Sequence, residues 1–284
     1  MALNVPVFLT RLGSSIIFAI VMLTGLLWNE YVFVILFLLV QVLCFRDYIR
    51  LMKKITPDVY WPEQLPYIVQ FVCVIWTLLV FISFKSDPLL LNGKPWWPLL
   101  LCFPILLITT CTTSVTTSWR AAMQSLGGMV YIVLPVMLLV MMRLQSILLP
   151  ISLILMIWTN DTMAYLVGSF IGKTPFSAIS PNKTWEGIIG GALLTIIGAA
   201  IWGHFTSYYT MMDWMVLAFC ASVAGNVGDL LESKFKRLAD VKDSGTLMPG
   251  HGGAMDRFDS LLVATPFAFC YAYFFMPALP LTIF

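Results

Sequence analysis

The sequence predicts an all-α, polytopic integral membrane protein of about nine transmembrane helices, with its N-terminus in the cytoplasm. Three observations predict it. Of 284 residues, 60% are apolar and only 11% are charged, whereas soluble domains carry about 25% charge. The apolar residues fall into runs long enough to cross a bilayer, for which a helix needs about 20 of them. Lysine and arginine are strongly biased to one side of those runs. The mean hydropathy of +0.91 excludes a disordered chain. The runs do not alternate apolar with polar residues, as barrel strands would. A net charge of +2 gives no footprint for nucleic acid.

The expected spans are roughly 11–28, 31–52, 66–84, 96–112, 126–142, 147–171, 187–205, 213–234 and 255–276. The first follows Arg11 and has the look of a signal peptide. No small-residue cleavage site follows it and the second span begins almost at once, so it is read as retained. With the N-terminus inside, the inner loops hold Arg11, Arg46, Arg50, Lys53, Lys54, Arg120, Lys173, Lys183, Lys234, Lys236, Arg237, Lys242 and Arg257. The outer loops hold Lys85, Lys94 and Arg143. The odd span count then puts the C-terminus outside. Trp28, Trp61, Trp96, Trp97, Trp185 and Trp214 fall near helix ends, as interfacial anchors do. Cys44, Cys73, Cys102, Cys111, Cys220 and Cys270 form no CxxC pair and read as packing residues.

The halves differ in character. Residues 1–145 read as transmembrane scaffold. Their acids, Glu30, Asp47, Asp58, Glu63 and Asp87, are placed in loops or at helix ends. Residues 146–284 read as the catalytic region. They hold Asp161, Glu186, Asp213, Asp229, Glu232, Asp240, Asp243, Asp256 and Asp259. Several of these lie inside apolar runs, where an unpaired charge costs a few kcal/mol or more. A functional site is the default reading of such residues.

The eighth span carries Asn226, Asp229, Ser233 and Lys236, whose spacing puts them on one helical face. Glu232 lies beside that stripe. The mostly small residues from Ala221 to Gly228 allow another helix, or a ligand, to approach closely. The loop from Arg237 through Lys242, Asp243, Pro249, Gly250 and His251 to Gly252 and Gly253 follows. Its glycines permit φ > 0 and close approach to a ligand, and such a stretch builds anion-binding nests. The ninth span opens with Asp256, Arg257 and Asp259; the two acids share a face. Asp229, Asp256 and Asp259 together offer an all-oxygen site suited to Mg2+ or Mn2+. Carboxylates beside basic residues fit a metal-bound phosphate, and hence phosphoryl or nucleotidyl transfer.

The sixth span adds Asp161. The inward-facing loop after it reads Ser180-Pro-Asn-Lys183-Thr184-Trp185-Glu186-Gly187. Lys183 is placed to meet a phosphate, whereas Thr184 and Glu186 are also good helix-starting residues. Gly172-Lys173-Thr174 is not a phosphate-binding loop, because Val167 stands where that motif needs glycine. Gly187 and Gly191 form one GxxxG pair, weak evidence of helix packing on its own.

The segment from Ser233 through Lys236, Arg237, Lys242, Asp243, Pro249, Gly250, His251, Gly252, Gly253, Asp256 and Arg257 to Asp259 resembles the signature of the phosphatidate cytidylyltransferases, or CDP-diacylglycerol synthases. Gly228-Asp229 and the stretch Ser180 to Gly187 support the resemblance, which covers about 158 to 260. The first 145 residues match only in hydropathy and length. Asn182 stands where the family usually has lysine, and Met163 where a small residue is more usual.

The resemblance implies CTP plus phosphatidic acid giving CDP-diacylglycerol and pyrophosphate in phospholipid biosynthesis. It implies Mg2+, with Mn2+ as a substitute and K+ as a candidate further ion. It also implies a homodimer in the inner membrane of a bacterium, with the site facing the cytosol. By similarity Asp229 and Asp256 are the leading metal ligands, with Ser233 close by; Asp259 joins the metal set from the reading of the residues above. Lys236, Arg237, Lys242, His251 and Arg257 join them in catalysis. Asp161, Ser180, Lys183, Thr184, Ser233, Asp243, Gly252 and Gly253 bind substrate. The chemistry agrees with the residues. A phosphomonoester with a second pKa near ~6 is already ionised, so no side-chain base is needed. The protein has to hold two polyanions in line and neutralise their charge. The enzyme alternative is a cytidylyltransferase or kinase acting on another lipid phosphate or polyprenol. The alternative from another class is a secondary transporter using Asp161, Asp229 and Asp256; the first half holds no second copy of the acidic motif, as transporter repeats would require.

Overall fold

The computed structural model describes residues 5–86, 119–206, 208–247 and 252–277. They form α1 (Val5–Leu27), α2 (Glu30–Ile55), α3 (Leu65–Ser86), α4 (Trp119–Gly128), a π-helical turn (Met129–Val133), α5 (Leu134–Gln145), α6 (Leu148–Ile171), α7 (Trp185–Phe205), α8 (Met211–Leu238) and α9 (Met255–Phe275). The described residues contain no strand, only an isolated bridge between Pro175 and Thr184. Seven helices among them are long and apolar enough to cross a bilayer, with Arg120–Gln145 counted as one. These correspond to seven of the nine expected spans. The first expected span falls on α1, whose stretch Ile16–Leu27 is apolar. The expected span 96–112 lies outside the described residues, as do Asp87, Lys94, Cys102, Cys111 and His251. The chain is a polytopic helical membrane protein.

Two units divide the described residues. One comprises the helices up to Leu144 together with Leu238–Arg257; the other comprises Gln145–Arg237 and the residues from Phe258 onward. In the first unit, α2 is the central element. Asn29 caps it, its Oδ1 accepting from the Val32 N–H at 2.9 Å, with Glu30 in the first turn and Lys53 and Lys54 in the last. Those charges complement the helix dipole at both ends. α3 is joined to α2 inside the apolar core by the Thr77 hydroxyl, which donates to Gln41 Oε1 at 2.9 Å. α4 packs on α2 through Gly127 and Gly128, where an added Cβ would meet the Tyr48 and Phe45 rings at 2.8–2.9 Å.

In the second unit, α7 shows why the sequence stays in a membrane. Ile189, Leu193, Ile197 and Ile201 recur every fourth residue and remain 52–56% exposed. Their opposite face is Gly187, Gly191, Thr195, Ala199 and Gly203, all buried. A large-aliphatic face outward and a small-residue face inward suits packing where lipid is the solvent. The GxxxG pair of the sequence is therefore a genuine packing device. A Cβ on Gly191 would lie 2.8 Å from the Ala164 backbone nitrogen and Cβ on α6. α8 begins with a reciprocal cap. The Asp213 N–H donates to Thr210 Oγ1 at 3.2 Å, and the Thr210 N–H and hydroxyl donate to Asp213 Oδ2 at 2.9 and 2.7 Å. Tyr271 donates to the other oxygen of Asp213 at 2.9 Å. That acid is structural.

Gly191→Ala should lower the melting temperature of the purified protein, at a cost of about 1–3 kcal/mol from overpacking. Gly198→Ala, whose Cβ meets nothing within 4 Å, should leave it unchanged or slightly raised. Thermal unfolding in detergent of the two variants side by side checks this.

Candidate active site

The second unit contains a polar cavity of roughly 600 Å3 lined by Asp161, Ser180, Asn182, Lys183, Thr184, Asn226 and Asp229, with Tyr165 and several small residues. Four elements build it. α6 brings Asp161. The loop from Gly172 to Thr184 brings Ser180 and Lys183. Thr184 starts α7, and α8 supplies Asn226 and Asp229. The loop is closed on itself by the Phe176 N–H donating to Lys183 C=O at 2.7 Å and the Trp185 N–H donating to Thr174 C=O at 3.0 Å. Glu186 accepts from the Lys173 and Thr174 N–H groups at 3.1–3.2 Å. Thr184 accepts from the Gly187 N–H at 3.2 Å and is the α7 cap. The helix-starting reading of Thr184 and Glu186 thus holds, and Thr184 lines the cavity as well.

Two charged residues of this cavity, Lys183 and Asp229, are paired. Lys183 Nζ lies 2.5 Å from Asp229 Oδ2 and 3.4 Å from Asn226 Oδ1. The Ser233 hydroxyl, one turn along α8, donates to Asp229 Oδ1 at 3.2 Å. Lys236 binds the buried Glu232 at 2.5 Å. Asp259 feels the charges of Asp229, Asp161 and Lys236. The close approach of α9 to α8 depends on Gly228, because a Cβ there would collide with the Asp259 carbonyl, and on Gly225 against Ser260. This is the role expected of the small residues between Ala221 and Gly228.

The first unit holds the other part of the predicted signature. Asp256 Oδ2 accepts three hydrogen bonds, from the Ser244 N–H at 2.9 Å, the Ser244 hydroxyl at 2.8 Å and the Gly253 N–H at 2.7 Å. Gly252 has φ +82°, a left-handed backbone that favours glycine, and a Cβ there would lie 2.6 Å from the Asp256 carboxylate. Lys242, Asp243 and Arg257 are exposed in this unit, and Arg237 is exposed at the end of α8 in the other. Of the predicted metal set, Asp229 and Asp259 therefore lie in one unit and Asp256 in the other.

Among the residues that escaped the sequence reading of the site, two stand out. Asn226 lines the cavity, and its place on the Asp229 stripe was the available signal. Asp47 was read as a scaffold acid at a helix end. It lies within α2, fully buried, and accepts from the Ala254 N–H at 2.8 Å. No local signal marks it, because the contact joins positions 207 residues apart.

The chain matches the cytidylyltransferase family over residues 9–275. It belongs to that family. It is 36% identical to a phosphatidate cytidylyltransferase of Haemophilus influenzae over 202 residues, 66% of this chain and 69% of that protein. It is 45% identical over 115 residues to one of Staphylococcus aureus, 39% of this chain and 44% of that protein. It is 44% identical over 115 residues to one of Bacillus subtilis, 40% of this chain and 43% of that protein. As a cytidylyltransferase the chain has to hold a nucleoside triphosphate, and a Lys–Asp pair opening onto a polar cavity is chemically suited to exchange partners with one.

Lys183→Met should lower transfer activity about 10²-fold, and Asp229→Asn should do likewise. The double variant should be far less impaired than the product of the two, because each single change leaves its former partner uncompensated. Steady-state rates of the four proteins at matched folded concentration measure this.

Proposed function

We propose that this chain is a phosphatidate cytidylyltransferase, transferring CMP from CTP to phosphatidic acid and releasing pyrophosphate. The observation that carries the reading is the polar cavity around Lys183 and Asp229, built among helices whose other faces are large, exposed and apolar. Such a site serves a substrate that is charged at one end and lipid at the other. The names of the similar bacterial proteins point to the same substrate.

A phosphatidate oxygen, ionised at neutral pH, attacks the α-phosphorus of CTP. The bond to the bridging oxygen breaks and pyrophosphate leaves with the electron pair. Lys183 would release Asp229 and take a phosphate oxygen, and the freed Asp229 carboxylate would then be available to a divalent cation entering with the phosphates. Ser233 holds Asp229 in orientation through its hydroxyl. Ser180 and Asn226 offer further hydrogen bonds. Lys242, Arg257 and Arg237 are exposed cations suited to a polyanionic nucleotide, and Lys236 is held by Glu232 until substrate competes.

The residues fit a hard divalent cation. Among the described residues no three His, Cys, Asp or Glu side chains converge as a ready-made cage. Mg2+ does not require one, since it usually takes one or two carboxylates with substrate phosphates and water. Asp229 and Asp259 are the candidate ligands in the second unit, and Asp256 in the first. The Asp256 carboxylate is already oriented by hydrogen bonds, as ligating carboxylates commonly are. When bound, the ion would neutralise charge on the phosphates. Mn2+ is the expected substitute, and K+ a candidate further ion.

The Lys and Arg bias supports a cytosolic N-terminus and a site on the cytosolic side of a bacterial inner membrane, where CTP is available. A homodimer is part of this reading.

The test is CTP turnover by purified protein with phosphatidate, with and without Mg2+. CDP-diacylglycerol and pyrophosphate should appear only with the metal, and Asp256→Asn should lower the rate at least about 10³-fold. Well-folded protein that turns over CTP with another lipid phosphate, and not with phosphatidate, would overturn the substrate assignment.

A further inference from the structure

Asp47 is a carboxylate inside an apolar helix of the first unit, with no exposed surface. Arg46 and Arg50 lie 3.9 and 3.6 Å from its Oδ1 and offset part of the cost of burial. Oδ1 makes no hydrogen bond. Oδ2 accepts from the Ala254 N–H at 2.8 Å. Two glycines of the 238–257 segment close on the same carboxylate. A Cβ on Gly245 would lie 2.5 Å from Oδ1, and a Cβ on Gly253 would lie 2.5 Å from Oδ2. The backbone on either side of these contacts is the backbone that holds Asp256, through the Ser244 and Gly253 N–H groups. One buried acid from α2 thus gathers both ends of the signature loop.

We propose that Asp47 is a positioning residue: it anchors the backbone at Gly245, Gly253 and Ala254 and so sets the orientation of Asp256. This rests on the reading of that loop as part of the active site. The glycines at 245 and 253 are explained by it, because any side chain there would displace the carboxylate. The adjacent arginines offset part of the cost of placing an acid there, and its Oδ2 accepts from the Ala254 N–H. A 1 Å shift of a group that bears on chemistry typically costs about 10²-fold in rate.

The experiment combines backbone hydrogen exchange of the full-length protein in lipid nanodiscs with steady-state kinetics. Asp47→Ala should raise exchange across residues 244–254 at least about tenfold and lower kcat about 10²-fold. Asp47→Asn keeps an oxygen for the Ala254 N–H and should recover at least about tenfold of that loss. Gln41→Ala, on the same helix and buried against Thr77, should destabilise the unit without changing exchange in 244–254. Gly245→Ala should raise exchange in that segment by itself and add nothing to Asp47→Ala. Exchange in 244–254 that is unchanged by Asp47→Ala and Gly245→Ala, or raised equally by Gln41→Ala, overturns the proposal. Altered exchange in a protein whose native form does not turn over CTP would uphold the anchor and overturn the functional reading.

Discussion

The ion pair between Lys183 and Asp229 is the contact on which the polar cavity depends. It joins the loop before α7 to the middle of α8, and it lets two charges stand among helices built mostly of apolar residues. A single charge there would carry a large desolvation cost. Each partner is held from its own side: Asp229 by Ser233, and Lys183 by the closed loop whose backbone hydrogen bonds reach Phe176 and Trp185. An anionic substrate can replace Asp229 as the partner of Lys183. A pair that can be exchanged is a sound way to keep a phosphate-binding lysine in an apolar setting.

The first unit solves a related problem with backbone. Asp256 is held by N–H groups and a serine hydroxyl, and Asp47 by an N–H group and two nearby arginines. N–H donors stabilise a carboxylate without bringing in a full positive charge. The glycines of this loop do two different jobs. Gly252 adopts a left-handed backbone, whereas Gly245 and Gly253 have ordinary backbone and are small because a carboxylate occupies the space a side chain would fill.

Close helix approach is the third element. Gly187 and Gly191 bring α7 against α6, and Gly225 and Gly228 bring α9 against α8. In lipid there is no hydrophobic drive to press helices together, so contact comes from backbone fit at small residues. The outward faces of α7 then carry large aliphatic side chains that would be a liability in water.

The sequence by itself determined the class of fold, seven of the spans, and the family. Length and periodicity of apolar runs set the first two, because one helical turn reports on the next. The motif residues Asp161, Ser180, Lys183, Thr184 and Asp229 were legible, the two acids because each breaks an apolar run and the others as a polar loop motif, and the structure gathers them around one cavity. Thr184 was legible as a cap because capping is local. Tertiary structure alone decided the partners. That Lys183 meets Asp229 depends on how the α7 loop folds onto α8. That Lys236 is taken up by Glu232 was available from their spacing, but the burial of Glu232 was not. The role of Asp47 was hidden for the plainest reason. Its partner lies 207 residues away, and an acid beside two arginines at the end of an apolar run looks, in sequence, like an ordinary interfacial charge.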